Sequence, residues 1–357
     1  MNQAPQSNPK RIMPDDLADF CIAAMRRCGM SAADAQITAD VLVTTDLWGI
    51  HTHGVVSLRQ YLRRVQAGGL AARAEPEIVA EGAGWACLDG KGAMGMVSSH
   101  RAMTLAMAKA RGAGIGYVAL RGGSHFGAAG YYANMAAEED MIGLAMSGCT
   151  PVMAAPGGKT GVIGNNPIAF AAPAGEERTI LLDIALSKVA AGKIVAARAA
   201  GRPIPDDWYV DGDGMPTTDP SLYPDVGALL PAAGHKGYGL AIMVEVLTAV
   251  LSGGGILQGV KPWYRGEPSE PEGLSQGMMA IHIGSFMPID AFKQRIDHMI
   301  REIRSSPKAR DSTRIYLPGE IEWERCEEAK ANGIALPEDI LESLRGVAED
   351  LGLESLV

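Results

Sequence analysis

The sequence predicts an α/β fold in which a sheet with flanking helices is joined by a helical domain built from both chain ends. Three observations lead to this prediction. Residues 1–75 carry helical patterning, residues 76–287 alternate short apolar runs with helical stretches, and residues 288–357 are again helical and charged. Because strands interleaved with helices indicate a layered α/β unit, we expect residues 76–287 to form the ligand-binding domain.

Start and stop signals define the elements of the first part of the chain. Residues 1–12 are polar and are expected to be disordered. The Pro-Asp-Asp run beginning at Pro14 suits the first turn of a helix, since proline is tolerated there and acids favour its positive end. A second helix starts at Ser31 with a capping-box arrangement. Residues 57–66 repeat apolar side chains at helical spacing and predict a third.

From residue 75 onward the apolar runs become short and of β type. Strands are expected at residues 77–80, 85–88, 116–120, 142–147, 168–172, 180–183 and 277–286, and helices at residues 97–111, 131–139 and 187–200. Residues 201–233 are rich in Pro, Gly and Asp and predict a long irregular segment of the kind that usually serves a site. Residues 240–251 are apolar nearly all round, so we expect them to be buried in the fold or in a subunit contact.

Composition excludes several classes of protein. With 47% hydrophobic and 20% charged residues, the 357-residue chain is expected to be folded and soluble. A net charge of -9 spread along the chain and only 5% aromatic residues argue against nucleic-acid binding. The five cysteines form no CxxC pair, the N-terminus lacks the apolar core of a signal peptide, and no apolar run could span a membrane. We therefore expect a cytoplasmic protein.

A glycine-rich segment from Arg121 to Tyr132 places His125 between an expected strand and an expected helix. Glycines let the backbone approach a ligand closely, and the amides at a helix start attract anions. A histidine there can move a proton near neutral pH. The alternative interpretation is a glycine-rich turn that contains an incidental histidine.

The run Gly90-Lys-Gly-Ala-Met-Gly95 matches the GxGxxG pattern of a dinucleotide-binding loop. In that motif the next strand should end in an acid that binds the ribose hydroxyls. Here no Asp or Glu lies between Asp89 and Glu138, and the strand ends in Arg121. Arg121 could bind an extra phosphate instead, but the sequence favours a chance match in a glycine-rich chain.

The pair His51 and His53 could hold a divalent metal through its imidazole nitrogens. A metal-dependent hydrolase of this kind would also need further His and Asp ligands, and the segment before the pair reads as helix rather than strand. The alternative is that one of the two histidines donates a proton from a loop.

Two further segments place polar groups beside glycines. Asn165 and Asn166 lie in a turn before a strand, where asparagines either form the turn or offer amides to a carbonyl or carboxylate. His235 and Lys236 precede a helix and can supply a cation to a phosphate, although a lone lysine is usually only solvated.

Taken together, these segments resemble the malate/L-lactate dehydrogenase family of the non-Rossmann type. The resemblance rests on matches, in the family's order, at residues 46–55, 124–132, 164–170, 182–185 with 192–193, 235–240 and 317–320. It implies the family's own α/β fold with a mixed sheet, a homodimer, and NAD or NADP as cofactor. It also implies hydride transfer between the nicotinamide and a small carboxylate substrate, a 2-hydroxy acid or 2-keto acid. Reduction of a cyclic imine carboxylate is the alternative within the family.

The resemblance further implies roles for particular residues. The family's proton donor falls on His53 or His125, with Thr52 as a relay hydroxyl; Asp183 could orient the histidine, serve the cofactor or cap a helix. Substrate contacts fall on Arg59, Asn165 and Lys193. Cofactor contacts fall on Ser124, Phe126, Gly127, Ser147, Leu182, Asp183, Ile184, His235, Lys236, Gly319 and Glu320.

Two positions bear on the substrate. Relatives commonly carry an arginine four residues after the HG histidine, where it grips the substrate carboxylate, and this chain has Ser57 there. Either Arg59 swings in, another residue binds the carboxylate, or the substrate differs from a simple 2-keto acid. Lys193 stands where imine-reducing relatives carry an acid, which favours a hydroxy acid as substrate.

Overall fold

Helices and strands alternate through residues 10–356, the part of the chain that the computed structural model describes. The helices are α1 (Pro14–Arg27), α2 (Ala32–Leu47), α3 (Leu58–Ala67), α4 (Gly95–Ala113), α5 (Ala129–Glu138), α6 (Ala191–Ala199), α7 (His235–Glu245), α8 (Ile289–Ser305), α9 (Glu320–Asn332) and α10 (Glu338–Leu351). The strands are β1 (Arg11–Ile12), β2 (Glu77–Gly82), β3 (Trp85–Asp89), β4 (Ile115–Gly123), β5 (Met141–Ser147), β6 (Met153–Ala154), β7 (Gly161–Ile163), β8 (Ile168–Ala172), β9 (Ile180–Ile184), β10 (Tyr209–Val210), β11 (Ala228–Leu229), β12 (Leu274–His282) and β13 (Ile334–Ala335).

The predicted helix starts near the N-terminus are confirmed. The Ser31 hydroxyl accepts the backbone N–H of Asp34 at 3.1 Å, so it satisfies one of the free amides at the start of α2. Helix α3 ends at Gly68, whose φ of 87° is the left-handed conformation that glycine adopts without strain. The predicted disorder is wrong for residues 11–12, which form β1 paired with β13. Residues 1–9 lie outside the described residues.

A seven-stranded sheet in the order β2-β3-β4-β12-β5-β8-β9 forms the centre of the fold. Only β3 and β4 run parallel, and every other neighbouring pair in this sheet is antiparallel. A Rossmann sheet is built from parallel strands joined by crossover helices. The mixed sheet predicted from the family resemblance is therefore confirmed.

The GxGxxG run is a packing feature of this sheet. The N–H groups of Gly90 and Gly92 donate to the carbonyl oxygens of Arg121 and Gly122 at 2.8 and 3.1 Å, so they are not free for a phosphate. A Cβ at Gly95 would overlap the carbonyl oxygens of the loop that follows β4. The glycines thus let two loops touch, as the chance-match interpretation requires.

Several boundaries differ from the sequence prediction. Strand β12 ends at His282 because residues 283–285 turn into a short 3-10 helix before α8. Helix α6 starts at residue 191 rather than 187, since Ser187 and Lys188 instead bridge to residues 230–231. The segment 201–233 is not wholly irregular: β10 and β11 join β6 and β7 in a four-stranded sheet.

One buried apolar core connects the helices of both chain ends with the helices that cover the central sheet, and a second lies between α6, α7 and the four-stranded sheet. The chain ends meet through β1 and β13 and through packing of α1 on α10. The division into residues 1–75 with 288–357 and residues 76–287 stays a prediction. Within the described residues, no helix is both long and apolar enough to cross a membrane.

Candidate active site

The turn that carries His53 is fixed by Asp46, a buried carboxylate in the last turn of α2. One carboxylate oxygen lies 2.7 Å from the Nδ1 of His51, and the other accepts the N–H of Val55 at 2.7 Å. A Cβ at Gly54 would overlap this carboxylate, so only glycine fits there. The Asp46 carboxylate therefore holds the His-Thr-His-Gly turn from its buried side, and His51 serves as one of its hydrogen-bond partners.

His53, two residues after His51 in the same turn, is exposed. Its Nδ1 lies 2.9 Å from the hydroxyl oxygen of Thr52, which leaves Nε2 as the nitrogen available to a ligand. Enough protein surrounds the ring that desolvation lowers the pKa of His53 below its usual value. An accessible ring with a lowered pKa is what a cleft-lining histidine shows.

His125 stacks beside His53, with ring centroids 5.7 Å apart and planes 21° from parallel. The indole of Trp263 also stacks on His125, at 5.0 Å and 15°. The hydroxyl of Tyr61 hydrogen-bonds to its Nδ1. Burial, with a smaller contribution from His53, lowers the pKa of His125 to about 3. The sequence-predicted histidines thus form one pair, neutral at neutral pH.

Glu272 supports the His125 loop through the backbone. Its Oε2 accepts the N–H of His125 at 2.8 Å, and the side chain is 2% exposed. Burial raises the pKa of Glu272 to about 7, against the opposing effects of that hydrogen bond and of the Arg64 charge. Neither Glu272 nor Trp263 lies in a recognisable motif, so no sequence signal could have identified them. Asp46 did lie in a matching segment.

The segments expected to bind cofactor contact both ends of β9. The N–H of Leu181 donates to the carbonyl of Pro318 at 3.1 Å, which places Gly319 beside the strand. Leu186 donates to the carbonyl of Asn165 at 2.8 Å and accepts the N–H of Ala232 at 2.9 Å. Asn165 and the residues that precede His235 and Lys236 therefore meet just after β9, whereas Gly319 and Glu320 lie at the start of the strand.

Asp183 is directed toward a helix start rather than toward a histidine. Its carboxylate accepts the N–H of Gly130, in the first turn of α5, at 2.7 Å. Burial raises the pKa of Asp183 to about 6, which this hydrogen bond partly offsets. Of the roles left open for Asp183, the structure shows helix capping, of α5 rather than of the helix that follows β9.

Other predicted cofactor residues are engaged within the protein. Phe126 stacks on Tyr132 at 5.0 Å, and Gly127 has no room for a Cβ because Val41 lies against it. Ser124 and Ser147 are each 1% exposed. The Glu320 carboxylate binds Arg304 at 2.7 Å and Arg314 at 2.9 Å. Their cofactor contacts stay predictions.

The three residues predicted to bind substrate lie in different parts of the structure. Arg59 pairs with Asp350 of α10 at 2.9 Å and is not brought to the histidine pair. Lys193 is exposed in the first turn of α6, and an ideal Cβ at the preceding Gly192 lies 3.4 Å from the Thr52 methyl group, so this turn packs against the His53 loop. Asn165 is partly exposed beside β9.

The neighbouring asparagine and serine have structural partners. The amide group of Asn166 donates to the carbonyl of Ala241 and to Glu245, both at 3.0 Å, and its side-chain oxygen accepts the N–H of Cys149. Ser57, at the family's arginine position, is fully buried and lies 3.1 Å from the hydroxyl of Tyr264. Neither residue offers a charge to a carboxylate.

A metal site on His51 and His53 finds no support. The Nδ1 of His51 is held by Asp46. Across residues 10–356, no group of three or more His, Cys, Asp or Glu side chains is arranged to hold a metal ion. The structure thus gives the hydrolase alternative no ligand set.

The region around β9 fits a dinucleotide. His235 and Lys236 are exposed at the N-terminus of α7, the positive end of the helix, where cations and amides suit a diphosphate. The fit of a nicotinamide cofactor thus rests on the donor set of α7 beside β9.

A stacked imidazole pair, together with a donor set suited to a diphosphate, fits an oxidoreductase that uses a nicotinamide cofactor to interconvert hydroxy acids and their oxidised forms. The family model described as malate/L-lactate dehydrogenase matches residues 12–345, and the chain belongs to this family.

Individual relatives agree with that assignment. The chain is 38% identical over 353 residues to a malate dehydrogenase of Pyrococcus horikoshii, covering 97% of each. It is 36% identical over 342 residues to an L-sulfolactate dehydrogenase of Methanocaldococcus jannaschii, covering 96% of this chain and 97% of the relative. The solved structure of the Pyrococcus horikoshii malate dehydrogenase superposes with a TM-score of 0.89 at 36% identity, covering 99% of each chain. The predicted fold is confirmed.

Proposed function

We propose that the protein interconverts a 2-keto acid and its 2-hydroxy acid with NADH or NADPH, and that His53 carries the proton. The observation that supports this most directly is the asymmetry of the histidine pair. His53 is exposed and held through Nδ1 by Thr52, whereas His125 is bound by Tyr61 and stacked on Trp263. A proton donor has to reach the substrate oxygen, and His53 is the more exposed of the two residues.

The protein's own residues supply acid–base chemistry and positioning. When bound, the nicotinamide supplies or accepts the hydride. The His53 imidazolium gives a proton to the oxygen on which negative charge develops, and neutral His53 takes it back in the oxidative direction. Because burial lowers the pKa of His53, its imidazolium gives up the proton readily. The Thr52 hydroxyl keeps Nε2 directed at the substrate.

Lys193 is the proposed partner of the substrate carboxylate. It lies in the first turn of α6, which packs against Thr52, and its side chain is exposed. Arg59 is engaged by Asp350 instead. A lysine in this turn suits a hydroxy acid better than an imine, whose reduction favours an acid at this position. Malate and L-sulfolactate, named for the relatives, are the first acids to assay.

We propose that the cofactor binds along the end of β9, with its diphosphate at His235 and Lys236. Those two residues are exposed at the N-terminus of α7, the positive end of that helix. Assays with NADH and NADPH side by side decide which of the two is used.

We further propose a cytoplasmic homodimer. One face of α7 and the π-helical turn that continues it, Val246–Val250, exposes a row of large apolar side chains. They are Leu240, Ile242, Met243, Val246, Val250 and Leu251, each between 38% and 59% exposed. The sequence left burial in the fold or in a subunit contact open, and this exposure favours the subunit contact.

A substrate panel tests the proposal. Malate, L-sulfolactate and lactate in the oxidative direction, and their keto acids and a cyclic imine carboxylate in the reductive direction, are assayed with each nicotinamide. We expect turnover of a hydroxy acid that survives exhaustive chelation. Turnover of the imine alone would overturn the hydroxy-acid assignment. Loss of activity on chelation would instead support a metal-dependent reaction.

A further inference from the structure

The His125 loop rests on a buried carboxylate that the proposed chemistry has not used. Glu272 is 2% exposed, and its Oε2 accepts the backbone N–H of His125 at 2.8 Å. Its Oε1 is buried and has no hydrogen-bond partner among the described residues. Leaving a carboxylate oxygen buried and unpaired is costly unless the group is protonated or serves a purpose.

Titratable and charged groups from several elements face Glu272. Arg64 of α3 is the charged one, and its guanidinium lowers the pKa of Glu272. Tyr61 of α3 and Cys149 of the β5–β6 loop have pKa values raised by burial and further by Glu272, so both stay neutral. His125 contributes its backbone amide. Burial outweighs these effects and raises the pKa of Glu272 to about 7.

The pKa of His125 is shifted in the direction opposite to that of Glu272. Burial lowers the pKa of its imidazole to about 3, so the ring on its own is an uncharged imidazole at neutral pH. A negative charge close by would favour the imidazolium of His125 or of His53 stacked on it. A neutral acid with a neutral imidazole, and a carboxylate with an imidazolium, hold the same number of protons, so one proton can lie on either group.

We propose that Glu272 is a positioning residue that stores one proton beside His125 and thereby sets the protonation of the histidine pair. This inference rests on the proposed function for the use of that proton. On oxidation of the hydroxy acid, the hydroxyl proton passes to His53, and the unit formed by Glu272 and the two imidazoles holds one proton more. In reduction it gives that proton back to the substrate oxygen. Glu272 contacts the His125 backbone and acts through charge and position.

The variant Glu272→Gln keeps an oxygen that can accept the His125 N–H but cannot titrate. For reduction, we expect the wild-type kcat/KM to be level below about pH 7 and to fall above it, because the stored proton is then lost. In Glu272→Gln the imidazole alone must carry the proton, so kcat/KM falls about tenfold per pH unit between about pH 5 and about pH 8. A variant profile with the wild-type shape, merely scaled down, would overturn the proposal.

A second measurement does not depend on activity. Infrared spectra of the protein without substrate should show a protonated carboxylic acid that disappears as the pH rises through about 7 and is missing from Glu272→Gln. Because Asp183 also has a raised pKa, the readout is the difference between the two proteins. The matched control is Glu270→Gln, an exposed residue of the same segment with the same change of charge, which should keep the band.

The two proposals fail in different ways. If the infrared band is present but neither a hydroxy or keto acid nor an imine is turned over, the proposed function is wrong, while the proposal that Glu272 stores a proton stands. If a hydroxy acid is turned over but the band is absent from wild type, the stored proton is wrong. Thermal melting of Glu272→Gln next to Glu270→Gln shows whether the fold is intact, and Glu272→Asp, which can still titrate, should restore the level part of the profile.

Discussion

At the scale of single residues, His53 and His125 differ in their chemistry because different groups contact their rings. Thr52 contacts the ring of His53, which is exposed. Tyr61, Trp263 and His53 contact the ring of His125, and burial lowers its pKa to about 3. The first arrangement suits proton delivery to a ligand, and the second suits electrostatic and steric support of the first.

Alanine variants of the two histidines separate these roles. His53→Ala should lower kcat by about 10²- to 10⁴-fold, since it removes the proton donor, while NAD(P)H binding measured by nicotinamide fluorescence is retained. His125→Ala should lower kcat less. His298→Ala, an exposed histidine on α8, is the control and should behave as wild type. Turnover of His53→Ala within a few-fold of wild type would transfer the role to His125.

Lys193 and Arg59 give a matched pair for substrate binding. Lys193→Met should raise KM for the hydroxy acid by about 10- to 100-fold, the range for a lost hydrogen bond to a charged group, with little change in the cofactor KM. Arg59→Met removes a surface ion pair with Asp350 and should leave KM unchanged. Steady-state kinetics decide between them, and the reverse pattern would show that Arg59 leaves Asp350 when substrate binds.

Residue roles could be predicted from the sequence only where motifs carried them. His53 and His125 were predicted separately and do come together. Arg59 was chosen because it is near Ser57 in sequence, but position on a helix decides where a side chain points, and Arg59 meets α10. Glu272 and Trp263 come from a segment without a motif, more than 130 residues from His125, and only the folded chain shows that they touch it.

At the scale of elements, the short turn between α2 and α3 positions the site more than either helix does. Asp46 binds His51 and the N–H of Val55, and Gly54 passes directly over the carboxylate. The carboxylate is buried with two hydrogen bonds satisfied, so the turn has little freedom. His53 is rigid because its neighbours on both sides are tied to the same buried group.

Gly54→Ala tests the importance of that turn. The added Cβ would overlap the Asp46 carboxylate, so we expect a loss of roughly 1–3 kcal/mol in unfolding free energy and a fall in kcat at unchanged cofactor affinity. Denaturant unfolding and steady-state kinetics measure the two effects. Gly68→Ala is unsuitable as a control because of its positive φ, whereas Gly112→Ala on α4 has open space around it. A Gly54→Ala protein as stable and active as Gly112→Ala would contradict this role.

The elements themselves were more predictable than their ends. Strand β8 lies at the predicted residues 168–172, because a short apolar run beside a turn leaves little choice. Helix α6 was predicted four residues too early, since residues 187–188 have helix-compatible side chains but bond to residues 230–231 far along the chain. Non-local backbone pairing of this kind leaves no trace in local patterning.

At the scale of the whole molecule, the sequence predicted the mixture of helices and strands and the resemblance predicted a mixed sheet, but only the structure shows the strand order. Strand β12, which starts at residue 274, lies between β4 and β5, although those strands end at residues 123 and 147. That insertion brings the segment before β12, with Trp263 and Glu272, under His125. The topology of the sheet therefore builds the half of the site that motifs did not reveal.

The apolar face of α7 and its π-helical continuation gives the last prediction, which concerns assembly. Val246 and Val250 are 47% and 55% exposed, in a row with Leu240 and Leu251. If a second copy covers this face, Val246→Glu would bury an unpaired charge, and the dimer should dissociate. Light scattering coupled to size exclusion measures the mass. The control Val79→Glu, on β2 and 49% exposed, places the same charge on another surface and should not change the mass. His235 and Lys236 lie at the start of the same helix, so a monomeric Val246→Glu protein should also bind the cofactor more weakly. A wild-type protein that is already monomeric would contradict both the dimer and this link between assembly and cofactor binding.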